Sequence, residues 1–145
     1  MSEYLLCFRV SNDTASVPEA RHRVRGHLAA WGVHLDDSAR DVLELLLSEL
    51  VTNAVLHTDV PHIDVRITLV EHVLRVEVFD DSDRAPVHRD RDVARSVTAE
   101  GGRGLQLVAA LADRHGHRLR ARGKCVWAEV RLPGAGFRSE PTGEF

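Results

Sequence analysis

The chain has 145 residues, 43% of them hydrophobic, and a formal net charge of −3. That composition suits one globular domain, excludes a disordered chain and supplies no general attraction to nucleic acid. No apolar run approaches the roughly 20 residues that span a bilayer, and Met1-Ser2-Glu3-Tyr4 is not the basic start of a secretory signal.

A cytoplasmic protein with no membrane or nucleic-acid partner is therefore expected. Nearly all the basic charge is arginine, and Lys124 is the only lysine. Cys7 and Cys125 both fall in strand-like runs and are expected as buried, free thiols. The nine histidines do not match a metal-ligand spacing; His115 and His117 read as flanking a turn glycine.

In chain order, residues 4–10 read as a strand. Residues 17–31 read as a helix entered past Ser16, a candidate N-cap, and left at Gly32. Asp36 or Asp37 can cap a longer second helix ending near His57. Residues 62–70 and 73–79 alternate apolar and polar positions and are joined by Glu71-His72, which predicts a hairpin. Residues 80–100 form a polar stretch rich in Asp and Arg, too long for a simple turn and expected as a functional loop or lid that is mobile without ligand. A third helix starts in the turn Gly101-Gly102-Arg103-Gly104 and ends near His115-Gly116. Strands over residues 117–121 and 125–132 close the domain, which covers 1–132, with 133–145 expected as a disordered tail. The order β-α-α-β-β-α-β-β predicts an α+β fold: a two-layer sandwich, its mostly antiparallel sheet covered on one face by helices.

Three segments carry the chemistry. On the second helix, Asp41, Glu44, Ser48 and Thr52 fall on one side, expected to be solvated. Glu49, Asn53 and His57 recur at i, i+4 and i+8 between Val42, Leu46, Leu50 and Leu56. Polar groups in an apolar sector need partners. Backbone or water could supply them, or the groups line a pocket. In a pocket, the asparagine oxygen suits Mg²⁺, and a glutamate one turn earlier could deprotonate a nucleophile. The glycine turn leads into Leu105, Val108, Leu111 and Ala112; it is either only a tight turn or a helix start whose unpaired N–H groups meet a close-approaching ligand, for which phosphate is the natural guest. It matches neither the P-loop nor the dinucleotide fingerprint. Asp80, at the end of a strand, can accept a hydrogen bond from an exocyclic amine, or simply form the turn with Asp81 and Ser82.

Taken together and in this order, the segments resemble the ATP-binding fold, often called the Bergerat fold, of histidine kinases, gyrase-type ATPases and the Hsp90 chaperone (the GHKL family). Glu49-Leu50-Val51-Thr52-Asn53-Ala54-Val55-Leu56-His57 is similar to the family's N-box. Val76-Glu77-Val78-Phe79-Asp80 is similar to the start of its first glycine box, and Gly102-Arg103-Gly104-Leu105-Gln106-Leu107-Val108 to its second. The likeness continues to Gly123-Lys124-Cys125-Val126-Trp127. The short chain is most similar to the stand-alone serine kinases that act as bacterial anti-sigma factors.

The resemblance implies ATP and Mg²⁺ as cofactors, with Asn53 holding the metal, Asp80 reading adenine, and Gly102 and Gly104 bordering the phosphates beside Arg103 and Leu105. His57, Ser82 and Cys125 would line the same site. Glu49 would be the general base for transfer to a protein serine or threonine. A sigma factor and an anti-sigma antagonist would be partners, and a homodimer is common among such proteins. Two positions depart from the pattern: Ser82 stands where the family has the glycine of D-x-G, and Cys125 where a threonine is common. They leave open an ATP-binding regulator without catalysis, which would act by sequestering its partner.

Overall fold

The computed structural model describes residues 3–30, 32–80, 102–132 and 135–137, with only the backbone at 3, 4, 102–105 and 135–137. In order, β1 (Glu3–Ser11) is followed by α1 (Ser16–Ala30), β2 (Val33–Leu35) and α2 (Asp37–His57). The hairpin of β3 (His62–Val70) and β4 (Val73–Asp80) comes next. The described chain resumes with α3 (Gly102–Leu111), β5 (Arg114–Leu119), β6 (Lys124–Arg131) and β7 (Ala135–Phe137).

Five strands form an antiparallel sheet in the order β1-β3-β4-β6-β5. Side chains alternate across a strand, and directly paired residues share a face. One face therefore presents Ile63, Val65, Ile67 and Leu69 of β3 beside Leu74, Val76 and Val78 of β4, all buried. Leu43, Leu46, Leu47 and Leu50 of α2 are buried in the same core, and α2 packs on β3, β4 and β6. Helix α1 lies against β1 and α2, and α3 against α2 and β5. This is the expected α+β sandwich, with its helices on one side.

The opposite face is held by charge and aromatic stacking. Arg66 grips Glu77 through two hydrogen bonds, 2.8 and 3.0 Å, and Arg75 bonds Glu129 at 2.7 Å. Arg75 stacks 4.2 Å above the Trp127 ring, and Arg66 lies 5.1 Å from the Phe79 ring.

Element ends follow local chemistry. Asp36 caps α2 by accepting a 2.7 Å hydrogen bond from the Ala39 N–H. Ser16 does not act as a side-chain cap. It lies inside α1, buried, and its hydroxyl donates to the Ser11 carbonyl, tying the helix start to the end of β1. Gly32 follows α1 with φ of 71°, a left-handed geometry that glycine adopts without Cβ strain.

Several expectations are corrected. Helix α3 ends at Leu111, and His115 and Gly116 belong to β5, where Gly116 pairs with Trp127. A Cβ at Gly116 would come within 3.2 Å of the Trp127 ring, so this glycine makes room for an aromatic ring and does not form a turn. Strands β2 and β7 form an additional two-stranded sheet, so residues 135–137, placed in the tail by the sequence reading, pair with Val33–Leu35. Cys7 is exposed; only Cys125 is buried. The side of α2 expected to be solvated is largely covered by α1: Arg25 bonds Glu44, Arg21 bonds Ser48 at 3.1 Å, and of that set only Asp41 is exposed. Leu56, grouped with the apolar sector, is 60% exposed. The rest of the polar stretch after Asp80 lies outside the described residues, as do 133–134 and 138–145.

Candidate functional site

Helix α2 presents Glu49, Asn53 and His57 one turn apart along one stripe. Leucines on either side pin that stripe to the sheet: Leu46 and Leu50 are 1% and 0% exposed. Asn53 is buried, whereas Glu49 and His57 are half-buried. Among the described residues, neither the Oδ1 nor the Nδ2 of Asn53 has a hydrogen-bond partner. A buried amide left unpaired costs about 1–3 kcal/mol per group. Native folds seldom leave such a group without a protein, water or ligand partner. An amide oxygen is also a hard donor of the kind Mg²⁺ prefers, so Asn53 fits a phosphate-bound cation. Among the described residues no backbone group pairs with the Asn53 amide, which leaves water or a ligand in a pocket as its partner.

Helix α3 begins at Gly102, with Gly104 in its first turn. Small residues there let an anion reach the unpaired N–H groups. Only the backbone of Arg103 and Leu105 is described, and Gly101 and Ser82 lie outside the described residues. Because α2 packs against both α3 and β4, the glycine-bearing helix start, the Asn53 helix and the strand ending in Asp80 belong to one packed unit.

Asp80 is 2% exposed and lies on the helix-covered face, two positions beyond Val78. Its surroundings are set by the β5–β6 turn. Gly123 has φ of 69°, and a Cβ there would fall 2.1 Å from the Asp80 carbonyl oxygen and 2.5 Å from Oδ1. Only glycine fits, because both the backbone conformation and the space forbid a side chain. Lys124, beside it, is 3% exposed and pairs directly with Asp80 across β4 and β6. Neither Gly123 nor Lys124 stood out in the sequence as a site residue. The available signal was a glycine followed by the chain's sole lysine, at the start of a strand.

Cys125 is not brought to this site. It pairs with Phe79, so its side chain lies on the face away from α2, where Sγ is 3.8 Å from Glu77 Oε2. Burial first, then the Glu77 charge, pushes its thiol up to about 11. The departure from threonine at this position therefore falls outside the pocket.

The sequence of residues 10–130 matches the model of the histidine kinase-like ATPase domain family. No curated protein matches the chain. The match covers most of the 145 residues, and the chain belongs to the histidine kinase-like ATPase domain family. It is thus an ATP-binding domain of the GHKL type. Among the described residues, no helix is long and apolar enough to cross a membrane.

Proposed function

We propose that this protein is an anti-sigma factor with serine/threonine protein kinase activity toward an anti-sigma antagonist, binding Mg-ATP between α2, α3 and the end of β4. The observation that carries the nucleotide site is Asn53, a buried amide with both polar atoms unpaired among the described residues. Asn53 would hold Mg²⁺, which when bound neutralises charge on the transferring phosphate. Gly102 and Gly104 would border the phosphates beside Arg103 and Leu105, and Asp80 would accept a hydrogen bond from the adenine amine. His57 and Ser82 would line the site.

Glu49 lies one turn before Asn53 and is half-buried, so part of it is open to solvent. Its carboxylate would take the proton of a partner serine or threonine as the oxygen attacks the γ-phosphate. Phosphorus–oxygen bond formation is matched by cleavage of the bond to ADP. Removing a positioned base slows such reactions by about 10²- to 10⁴-fold. In Glu49→Ala, Mg-ATP affinity is expected to stay within a few fold while transfer of label from γ-labelled ATP to the antagonist is lost. Should wild type transfer no label to any antagonist it captures, and the variant capture that antagonist equally, the protein works by sequestration without catalysis.

A further inference from the structure

We propose that the cavity between α1, β2 and α2 is a binding site for a small amphiphilic carboxylate, an apolar chain or ring that carries one acid group. The inference is independent of the nucleotide site.

The cavity has a volume of about 340 Å³. Ligand pockets commonly hold about 300–1,000 Å³. Its floor is apolar: Val24 and Leu28 of α1 and Leu43 of α2 line it and are buried. The polar groups that line it stand at the mouth. Arg25, His34 and Arg40 are exposed there, and Glu44 is half-buried.

The charges at the mouth do not balance. Arg25 bonds Glu44, and the two neutralise each other. Arg40 forms no ion pair with a described residue. It is the fourth residue of α2, near the end where the helix dipole disfavours a cation, so helix stability does not account for it. One surplus positive charge above an apolar floor is complementary to one negative charge on an apolar body. A guanidinium can give a carboxylate two parallel N–H···O bonds, which selects the acid group. The floor selects the rest of the molecule by removing it from water. A protein partner would need a far broader contact, roughly 800 Å² on each side. A recess walled by three short stretches of chain suits a small molecule instead. Arg40 and Glu44 lie roughly 14–20 Å along α2 from Asn53, at about 1.5 Å per residue. The cavity and the nucleotide site can therefore be filled together.

The test uses decanoate below its micelle concentration as the probe and decanol as its uncharged counterpart, titrated into the full chain by calorimetry and NMR. Decanoate should bind saturably at one site, and decanol at least tenfold more weakly. Nuclear Overhauser contacts from the decanoate chain should reach the methyl groups of Val24, Leu28 and Leu43. Arg40→Gln changes an exposed side chain and should weaken decanoate at least fivefold while leaving decanol within twofold. Saturating Mg-ATP should leave decanoate affinity within twofold. Absence of saturable binding overturns the proposal. Equal affinity for decanoate and decanol, or an Arg40→Gln protein that binds decanoate as wild type does, overturns recognition of the acid group and the proposal with it. Overhauser contacts elsewhere, or displacement of decanoate by Mg-ATP, put the probe in another site and overturn it too. Failure of Mg-ATP to bind would strike the nucleotide site and leave this one standing.

Discussion

Gly123 has no room for a side chain. Its φ of 69° is one that other residues adopt at a cost of about 1–2 kcal/mol, and any Cβ would press on Asp80. Gly123→Ala is expected to lose at least 2 kcal/mol in urea unfolding, roughly the strain alone, and to weaken Mg-ATP binding as Asp80 is displaced. Stability and affinity both equal to wild type would show that the turn does not position Asp80. Cys125 and Cys7 differ as sharply. Burial holds the Cys125 thiol at about 11, so the reactive thiolate is scarce at neutral pH, while Cys7 is exposed. A thiol reagent should modify one cysteine quickly in the folded protein and the second only on unfolding. Rapid modification of both would contradict the packing of Cys125 against Glu77.

At the scale of elements, the outer face of the sheet depends on Glu77. Burial raises its carboxyl pKa, but the Arg66 hydrogen bonds and the charges of Arg66 and Arg75 outweigh that, leaving it below the ordinary 4.5. A depressed folded value means the stability it contributes is fully present above the unfolded value. That contribution fades as pH falls through the folded one. Glu77→Gln should therefore lower stability at pH 7 by about 1–3 kcal/mol, and the gap to wild type should close in acid. A gap that is constant with pH would show that the charge of Glu77 contributes nothing. The β3–β4 hairpin carries a second local cost. Glu71 sits at φ of 57° in the two-residue turn between Val70 and Val73. Glycine is the favoured residue at such a position. Glu71→Gly is expected to raise the melting temperature by roughly 2–4 °C, the shift about 1 kcal/mol gives in a chain of this size. A fall would mean that the glutamate side chain contributes more than the strain costs.

For the whole molecule, the sheet and α2 were legible because their signals are local. His62–Val70 alternates strictly, Asp36 caps α2, and leucines recur at helical spacing. What was not legible depends on tertiary pairing. Three-residue strands such as Val33–Leu35 are too short to show a period, and their partner lies about a hundred residues away in sequence. The end of α3 was misplaced because Arg114-His115-Gly116 reads as a polar helix end, although Gly116 is there to admit Trp127. The polar side of α2 looked solvated because helical periodicity cannot reveal that α1 supplies Arg21 and Arg25 to it. In the candidate site, Asn53 stood out as a polar residue in an apolar sector of α2, and Asp80 as a carboxylate at a strand end. Lys124 did not, because its place opposite Asp80 exists only once β4 and β6 pair.

Titration calorimetry with Mg-ATP, on wild type and Asn53→Ala and repeated without divalent metal, tests the nucleotide site most directly. Wild type should bind saturably and depend on the metal. Asn53→Ala should weaken binding at least tenfold, equivalent to about 1.4 kcal/mol, with no loss of folding stability, because the amide it removes has no protein partner among the described residues. Equal Mg-ATP affinity in the two proteins, or wild-type binding that ignores the metal, would contradict the site.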